Sequence, residues 1–262
     1  MNQTIQELFD RKSVRAFEKR IISSEDKALI LQAAAMAPTA GNQQLYTIID
    51  VTDPAIKEKL VVTCDDRPFI AKADLVLIFC ADCKKWYEAF LSAGCKPRKP
   101  EVGDLLLAVS DANIAAQNAV TAAWSLGIGS CYIGDIMENC EAQRELLNLP
   151  KYVFPAAMLV FGYPTKQQLE RTKPERAPMK HIVHENGYHE MSADALKELF
   201  EGRAITRTYE DYMKAFCNRK YNSDFSREMS RSVRTYLEDF QNNSHIKKQS
   251  QLHFRKLRLL LN

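Results

Sequence analysis

Residues 101–126 read EVGDLLLAVSDANIAAQNAVTAAWSL. Apolar residues recur there at helical spacing on more than one face, and alanines fill positions 108, 112, 115, 116, 119, 122 and 123. A long helix of this kind is expected to be buried all round, where another subunit packs closely. Gly127 ends it. Outward from this helix, Leu75–Cys80 and Ala156–Phe161 are continuous apolar runs of strand length, and Tyr46–Val51 is rich in β-formers.

Helix signals separate these strands. Thr4 with Glu7 makes a capping box before a short first helix carrying Ile5, Leu8 and Phe9. Ser23 and Ser24 before Glu25 and Asp26 start a second, which runs through Leu29, Ala33 and Met36 and ends by Pro38. Pro54–Val62 and Glu138–Leu147 read as further helices. Helices alternating with buried strands predict an α+β or α/β domain. Residues 190–240 read as helices with charged faces, an arm rather than a second domain, because few strong core residues occur there.

Composition sets limits on function. With 46% hydrophobic residues a sizeable core forms, and a net charge of +3 is too near balance for a dedicated nucleic-acid binder. The modest basic excess suits anionic small molecules. No apolar leader opens the chain, and Asp111, Asn113, Gln117 and Asn118 interrupt its most apolar stretch, so neither secretion nor a membrane span is expected. The seven scattered cysteines suggest no disulfide framework, which points to a reducing cytoplasm.

Three short segments carry chemistry. In an extended chain, residues two apart share a face, so Arg11, Ser13 and Arg15 converge, with Lys12 adding charge nearby. Two guanidinium forks and a hydroxyl match the oxygens of a phosphate monoester; a solvated charge run is the alternative. The segment Pro38-Thr39-Ala40-Gly41-Asn42-Gln43-Gln44 stops a helix before a strand, and its backbone and amides suit a heterocycle edge or an ordinary loop. Gly127-Ile128-Gly129-Ser130-Cys131-Tyr132-Ile133-Gly134 lets backbone approach a flat ligand, or caps a helix and leads into a strand. It is not a dinucleotide fingerprint, because Tyr132 stands where the third glycine belongs and the motif follows a helix. Cys80 and Cys83 form a lone C-x-x-C, and His181, His184 and His189 lack metal-site order, so no metal is expected.

Taken in order, these pieces resemble the nitroreductase family, closest to its NADPH-specific branch. The resemblance runs from about Thr4 to Tyr188. It is carried by Arg11-Lys12-Ser13-Val14-Arg15, the Pro38–Gln44 loop, Phe79-Cys80-Ala81-Asp82, Asp111 to Asn118, Tyr132-Ile133-Gly134, Phe161-Gly162-Tyr163-Pro164 and His184-Glu185-Asn186. It implies an α+β fold with a central, mostly antiparallel sheet flanked by helices, in a domain-swapped homodimer binding FMN at its interface. Residues 1–190 would form the FMN domain, 191–240 its helical arm and 241–262 a basic tail.

On matching positions, Arg11, Lys12, Ser13 and Arg15 would hold the FMN phosphate. Thr39, Ala40 and Gly41 would line the ring, and Tyr132, Ile133 and Gly134 would pass beneath it. Lys173 and Arg176 would complete the phosphate site, although an inserted residue separates this pair from the family's usual K-P-R. Arg67 stands where the branch commonly has glutamine; it would put positive charge near the flavin's pyrimidine end and raise its potential, or turn to solvent. Arg219 and Lys220 would meet the 2′-phosphate of NADPH.

The implied reaction passes hydride from NADPH through FMN N5 to small aromatic acceptors by a ping-pong mechanism, with no protein acid or base. Reductive dehalogenation on the same fold is one alternative, and a flavin-free binding or regulatory protein is another. The tail from Ser244 to Asn262 alternates Lys and Arg with leucines and Phe254; it reads as an amphipathic docking helix or a disordered tail.

Overall fold

Asn2, not Thr4, starts the first helix. Its side chain accepts the Ile5 N–H at 3.0 Å, capping α1 (Gln3–Asp10) two residues before the expected capping box. The computed structural model describes residues 1–241, so the basic tail lies outside the described residues beyond Gln241. Ser23 caps α2 (Ser24–Ala35) as expected, its hydroxyl accepting the Asp26 N–H at 3.0 Å. There follow β1 (Tyr46–Asp50), α3 (Pro54–Thr63) and β2 (Leu75–Asp82).

Sequence reading gave no sign of α4 (Lys84–Ser92), whose charged and aromatic residues mask its period. Asp82 holds its first turn, accepting the N–H groups of Lys84 at 3.0 Å and Lys85 at 3.2 Å. The long helix is α5 (Val102–Ser125). Gly127 ends it in the left-handed region at φ 75°, and Ile128 N–H returns to the Ala123 carbonyl at 2.8 Å. Then come β3 (Gly129–Ile133), α6 (Cys140–Leu147), β4 (Val153–Gly162), α7 (Lys166–Glu170), α8 (Ala193–Glu201), α9 (Tyr209–Lys220) and α10 (Asp224–Glu238).

The sheet runs β1-β2-β4-β3, with every neighbouring pair antiparallel, so the class is α+β. Every residue of β2 and β4 is buried, because both sheet faces are covered. On one face Leu77, Phe79, Leu159 and Phe161 pack with α2 and α5. On the other, Val76, Ile78, Met158 and Val160 pack with Leu60 of α3. The alanines of α5 are thereby used inside the chain: Ala108, Ala112, Ala115, Ala116, Ala119 and Ala123 all sit in the first core. Their small volume lets α2 and the sheet approach, so these alanines serve the chain's own core. The large apolar residues that α5 turns outward are Val102, Leu106, Leu107 and Ile114, among polar ones such as Ser110, Asn113 and Gln117.

The chain divides into two compact units, Met1–Leu169 with the chain from Met229 on, and Glu170–Glu228. In the first unit the C-terminal residues are core, contrary to the reading of this region as core-poor. Tyr236 and Phe240 are fully buried, and the Ser232 hydroxyl accepts the Cys140 N–H at 2.9 Å while donating to the Met137 carbonyl at 2.7 Å.

Candidate functional site

The segment after α1 is extended and lies against β3. Ser13 bridges Ser130 in parallel, and Val14 N–H donates to the Ser130 carbonyl at 2.9 Å. This sets odd-numbered side chains to one side, as the alternating pattern requires. The Arg15 guanidinium and Ser13 hydroxyl reach the Cys131 thiol, and the charge of Arg11 is felt there and at Tyr132. Burial pushes the Cys131 thiol up while these neighbours pull it back. Arg11, Ser13 and Arg15 are thus brought together. Lys12 faces elsewhere, donating through Nζ to the Leu169 carbonyl at 2.5 Å. Arg15 N–H donates to Gln168 Oε1 at 3.2 Å, so α7 fixes the same segment.

The glycines after α5 divide their roles. Gly127 is the helix cap. Gly129 makes room for Val14, since a Cβ there would lie 2.6 Å from Val14 Cγ2; Gly162 makes room for Phe17 in the same way, at 2.7 Å. Gly134, like Gly127, keeps open space beside it, with Met137 Cε 4.0 Å away as its nearest atom. Of the three glycines expected to admit a flat ligand, two therefore serve the fold and seat the N-terminal segment. Tyr132 is part-exposed, its burial pushing the phenol up to about 12. The Ile133 side chain is in the second core, so that residue can face a ligand only through its backbone.

The Pro38–Gln44 loop is held from both sides. Asp111 of α5, buried to 3% exposure, accepts the Ala40 N–H at 3.0 Å and the Leu45 N–H at 3.2 Å. The Trp86 indole of α4 donates to the Gln43 carbonyl at 2.7 Å. The Thr39 hydroxyl accepts the Gln44 N–H at 3.2 Å, tying the ends of the loop.

Arg67 does not turn to solvent alone. Its guanidinium meets Asp65 at 2.6 Å and Asp135, next to Gly134, at 3.5 Å. Two carboxylates offset the positive charge expected at this position. Cys80 and Cys83 are both buried, and burial pushes each thiol up to about 12, which makes them poor nucleophiles at neutral pH.

In the second unit, Lys173 and Arg176 lie in the stretch between α7 and the turn Met179–His181. His184 and His189 stack at 5.5 Å, and the His189 N–H donates to His184 Nδ1 at 3.0 Å. The same unit holds a cavity of about 580 Å³ lined by Arg203, Arg207, Tyr212, Phe216 and Arg219. Tyr212 and Phe216 stack at 5.7 Å, and the Arg219 guanidinium lies 5.1 Å over Phe216. Lys220 does not line this cavity; it sits 5.8 Å over Phe225. Arg203 and Arg207 escaped sequence reading because they lie between α8 and α9, where no helical period marks a shared face. Three guanidiniums beside an aromatic pair suit a planar ring carrying an anionic group.

The profile described as the nitroreductase family matches residues 8–163. An FMN reductase (NADPH) of Bacillus subtilis (strain 168) is 30% identical over 251 residues, covering 92% of this chain and 96% of the relative. An oxygen-insensitive NADPH nitroreductase of Salmonella typhimurium is 35% identical over 189 residues, covering 72% of this chain and 75% of the relative. Among solved structures, NfrA2 of B. megaterium superposes with a TM-score of 0.80 at 29% identity, covering 92% of this chain and 100% of that one.

Proposed function

The chain belongs to the nitroreductase family, and from that premise we propose that it is an NAD(P)H-dependent FMN oxidoreductase passing hydride from NADPH to nitroaromatics, quinones or free flavin by a ping-pong mechanism. The observation that carries this reading is the convergence of Arg11, Ser13 and Arg15 beside β3. That donor set fits a phosphate monoester: two forked cations and a hydroxyl against a dianion. FMN, when bound, supplies the hydride chemistry at its N5. The chain's own residues bind and orient. Arg11, Ser13 and Arg15 hold the phosphate, and Lys12 reinforces the segment through Leu169 rather than from the same face. Thr39, Ala40 and Gly41 would line the ring, and Tyr132, the Ile133 backbone and Gly134 would support it. Lys173 and Arg176 keep their phosphate role on the resemblance alone. Arg67, offset by Asp65 and Asp135, shifts the flavin's potential less than a lone cation would.

A second copy of the chain is the proposed partner, resting on the outward apolar residues Leu106, Leu107 and Ile114 of α5. No described helix is long and apolar enough to cross a membrane. A cytoplasmic location agrees with the scattered cysteines. The relatives are named as reductases, which supports the reductase reading over the dehalogenase one. The purified protein is expected to be a yellow dimer that releases FMN on acid precipitation and oxidises NADPH when a nitroaromatic is added. Colourless protein that takes up no FMN would overturn the proposal.

Coenzyme choice is assigned to the cavity of the second unit, with Arg203, Arg207 and Arg219 meeting the 2′-phosphate. One charge-assisted contact contributes roughly 1.5–3 kcal/mol, about tenfold or more in affinity. Arg203→Ala and Arg219→Ala are each expected to raise the KM for NADPH about tenfold and leave NADH turnover nearly unchanged. Lys220→Ala is expected to do neither. Equal losses for both coenzymes would make the arginines structural, and a loss confined to Lys220→Ala would move the site.

A further inference from the structure

We infer that Asp111 is a positioning residue for the flavin, acting through the Pro38–Gln44 loop, and that the main-chain N–H groups of Thr39 and Gly41 are the loop's donors to the ring. This inference rests on the flavin reading above. Burying a carboxylate is costly unless charge or hydrogen bonds offset it. Asp111 lies mid-helix at 3% exposure, and its described bonds go to two main-chain N–H groups of a distant loop rather than to a cation. Those two groups belong to Ala40 and Leu45, so one side chain spans the loop. Trp86 pins the Gln43 carbonyl from α4. Between these ties the backbone is left-handed: Gly41 adopts φ 56° freely, while Asn42 and Gln44 are held at 54° and 50°. Left-handed non-glycine residues persist where surrounding contacts over-determine them.

Backbone N–H groups shielded from water are as a rule paired. Pro38 has none. Ala40 and Leu45 donate to Asp111, Asn42 to the Thr39 carbonyl at 3.3 Å, Gln43 to the Ala40 carbonyl at 3.1 Å, and Gln44 to the Thr39 hydroxyl at 3.2 Å. The N–H groups of Thr39 and Gly41 have no acceptor among the described residues. Thr39 is part-exposed and Gly41 exposed, so a ligand can reach both. The carbonyl and imine edge of an isoalloxazine is an array of acceptors, the chemistry these two donors lack. Asp111 commits the other N–H groups at the loop's two ends and so selects which donors face the ring.

Asp111→Asn keeps the side chain's shape but leaves one carbonyl oxygen for two donors and turns an NH2 toward one of them. FMN and riboflavin are expected to bind this variant more weakly by the same factor, about tenfold, and the visible spectrum of bound flavin is expected to change. The preference for FMN over riboflavin should stay as in the wild type, because the phosphate donors are untouched. A measurement on the wild-type protein does not depend on the variant's folding. Amide exchange should be slow at Ala40 and Leu45 with or without added FMN, and should slow at Thr39 and Gly41 only when FMN is added. Wild-type protein that takes up no flavin would sink the oxidoreductase reading and this inference together. Wild type that binds FMN while Asp111→Asn binds each flavin as tightly as the wild type does, or with exchange at Thr39 and Gly41 unchanged by FMN, would overturn the role of Asp111 or of the two donors alone.

Discussion

Arg15→Ala is expected to purify pale and to regain its colour only in excess FMN. The backbone of Arg15 is fixed on both sides, by the Val14–Ser130 bond at 2.9 Å and by its own N–H to Gln168 Oε1 at 3.2 Å. Truncation therefore removes the guanidinium and leaves the segment in place. A bidentate guanidinium–phosphate contact contains two charge-assisted bonds of roughly 1.5–3 kcal/mol each. Their loss should weaken FMN binding on the order of a hundredfold or more. Riboflavin, which has no phosphate, should bind wild type and variant alike, so the wild-type preference for FMN should collapse. Equilibrium titration of flavin fluorescence reads both quantities. Unchanged FMN affinity together with an unchanged preference would place the phosphate elsewhere. The contrast with Asp111→Asn is diagnostic: one substitution should erase the preference, and the other should weaken both flavins while keeping it.

The second large effect is on stability. Tyr236 is fully buried, with its ring edge-on to Phe154 at 5.1 Å and the Arg144 guanidinium 4.9 Å above it. Arg144 in turn pairs with Asp239 at 2.5 Å, so the aromatic ring and the ion pair seat the C-terminal residues together. Emptying this site leaves a cavity, and Tyr236→Ala should cost about 3–5 kcal/mol. For a chain of this size that corresponds to a fall in Tm of roughly 6–20 °C. Tyr236→Phe keeps the volume and removes a buried hydroxyl that has no hydrogen-bond partner among the described residues, so a Tm equal to or slightly above that of the wild type is expected. Calorimetry of both variants checks this. A Tyr236→Ala protein melting within a degree or two of wild type would show that these C-terminal residues are dispensable to the core.

Much of the fold was legible because its central pieces are extreme. The β2 and β4 runs are apolar on both faces, and α5 is apolar through most of its girth, so no other placement than the middle suited them. Features that depend on distant partners were not legible. Nothing near Gly129 reveals that Val14 needs the space of its missing side chain, and nothing near Arg67 reveals Asp135. Tyr236 and Phe240 sit four apart in a stretch crowded with charge, which hid a narrow buried stripe. Within the candidate site, the Arg11, Ser13 and Arg15 alternation survived because period two is a local property of extended chain. Lys12 fell on the opposite side for the same reason. Asp111 was visible only as part of a family pattern, since its role comes from a loop more than sixty residues earlier.

The path of the chain separates two traits. It leaves the first unit at Leu169 and rejoins it at Met229, where Ser232, Tyr236 and Phe240 close the core again. Glu170–Glu228 is therefore an insertion moored at both ends in a host that is completed only after it. The entropy of closing such an excursion grows slowly with its length, so the host tolerates variation in what it carries. On the assignments proposed above, the host supplies every flavin-holding residue except Lys173 and Arg176, and the insertion supplies those two together with the coenzyme arginines. Nicotinamide preference can then drift while the host's share of the flavin site is inherited unchanged, and a cassette transplanted between relatives has to bring its own counterparts of Lys173 and Arg176.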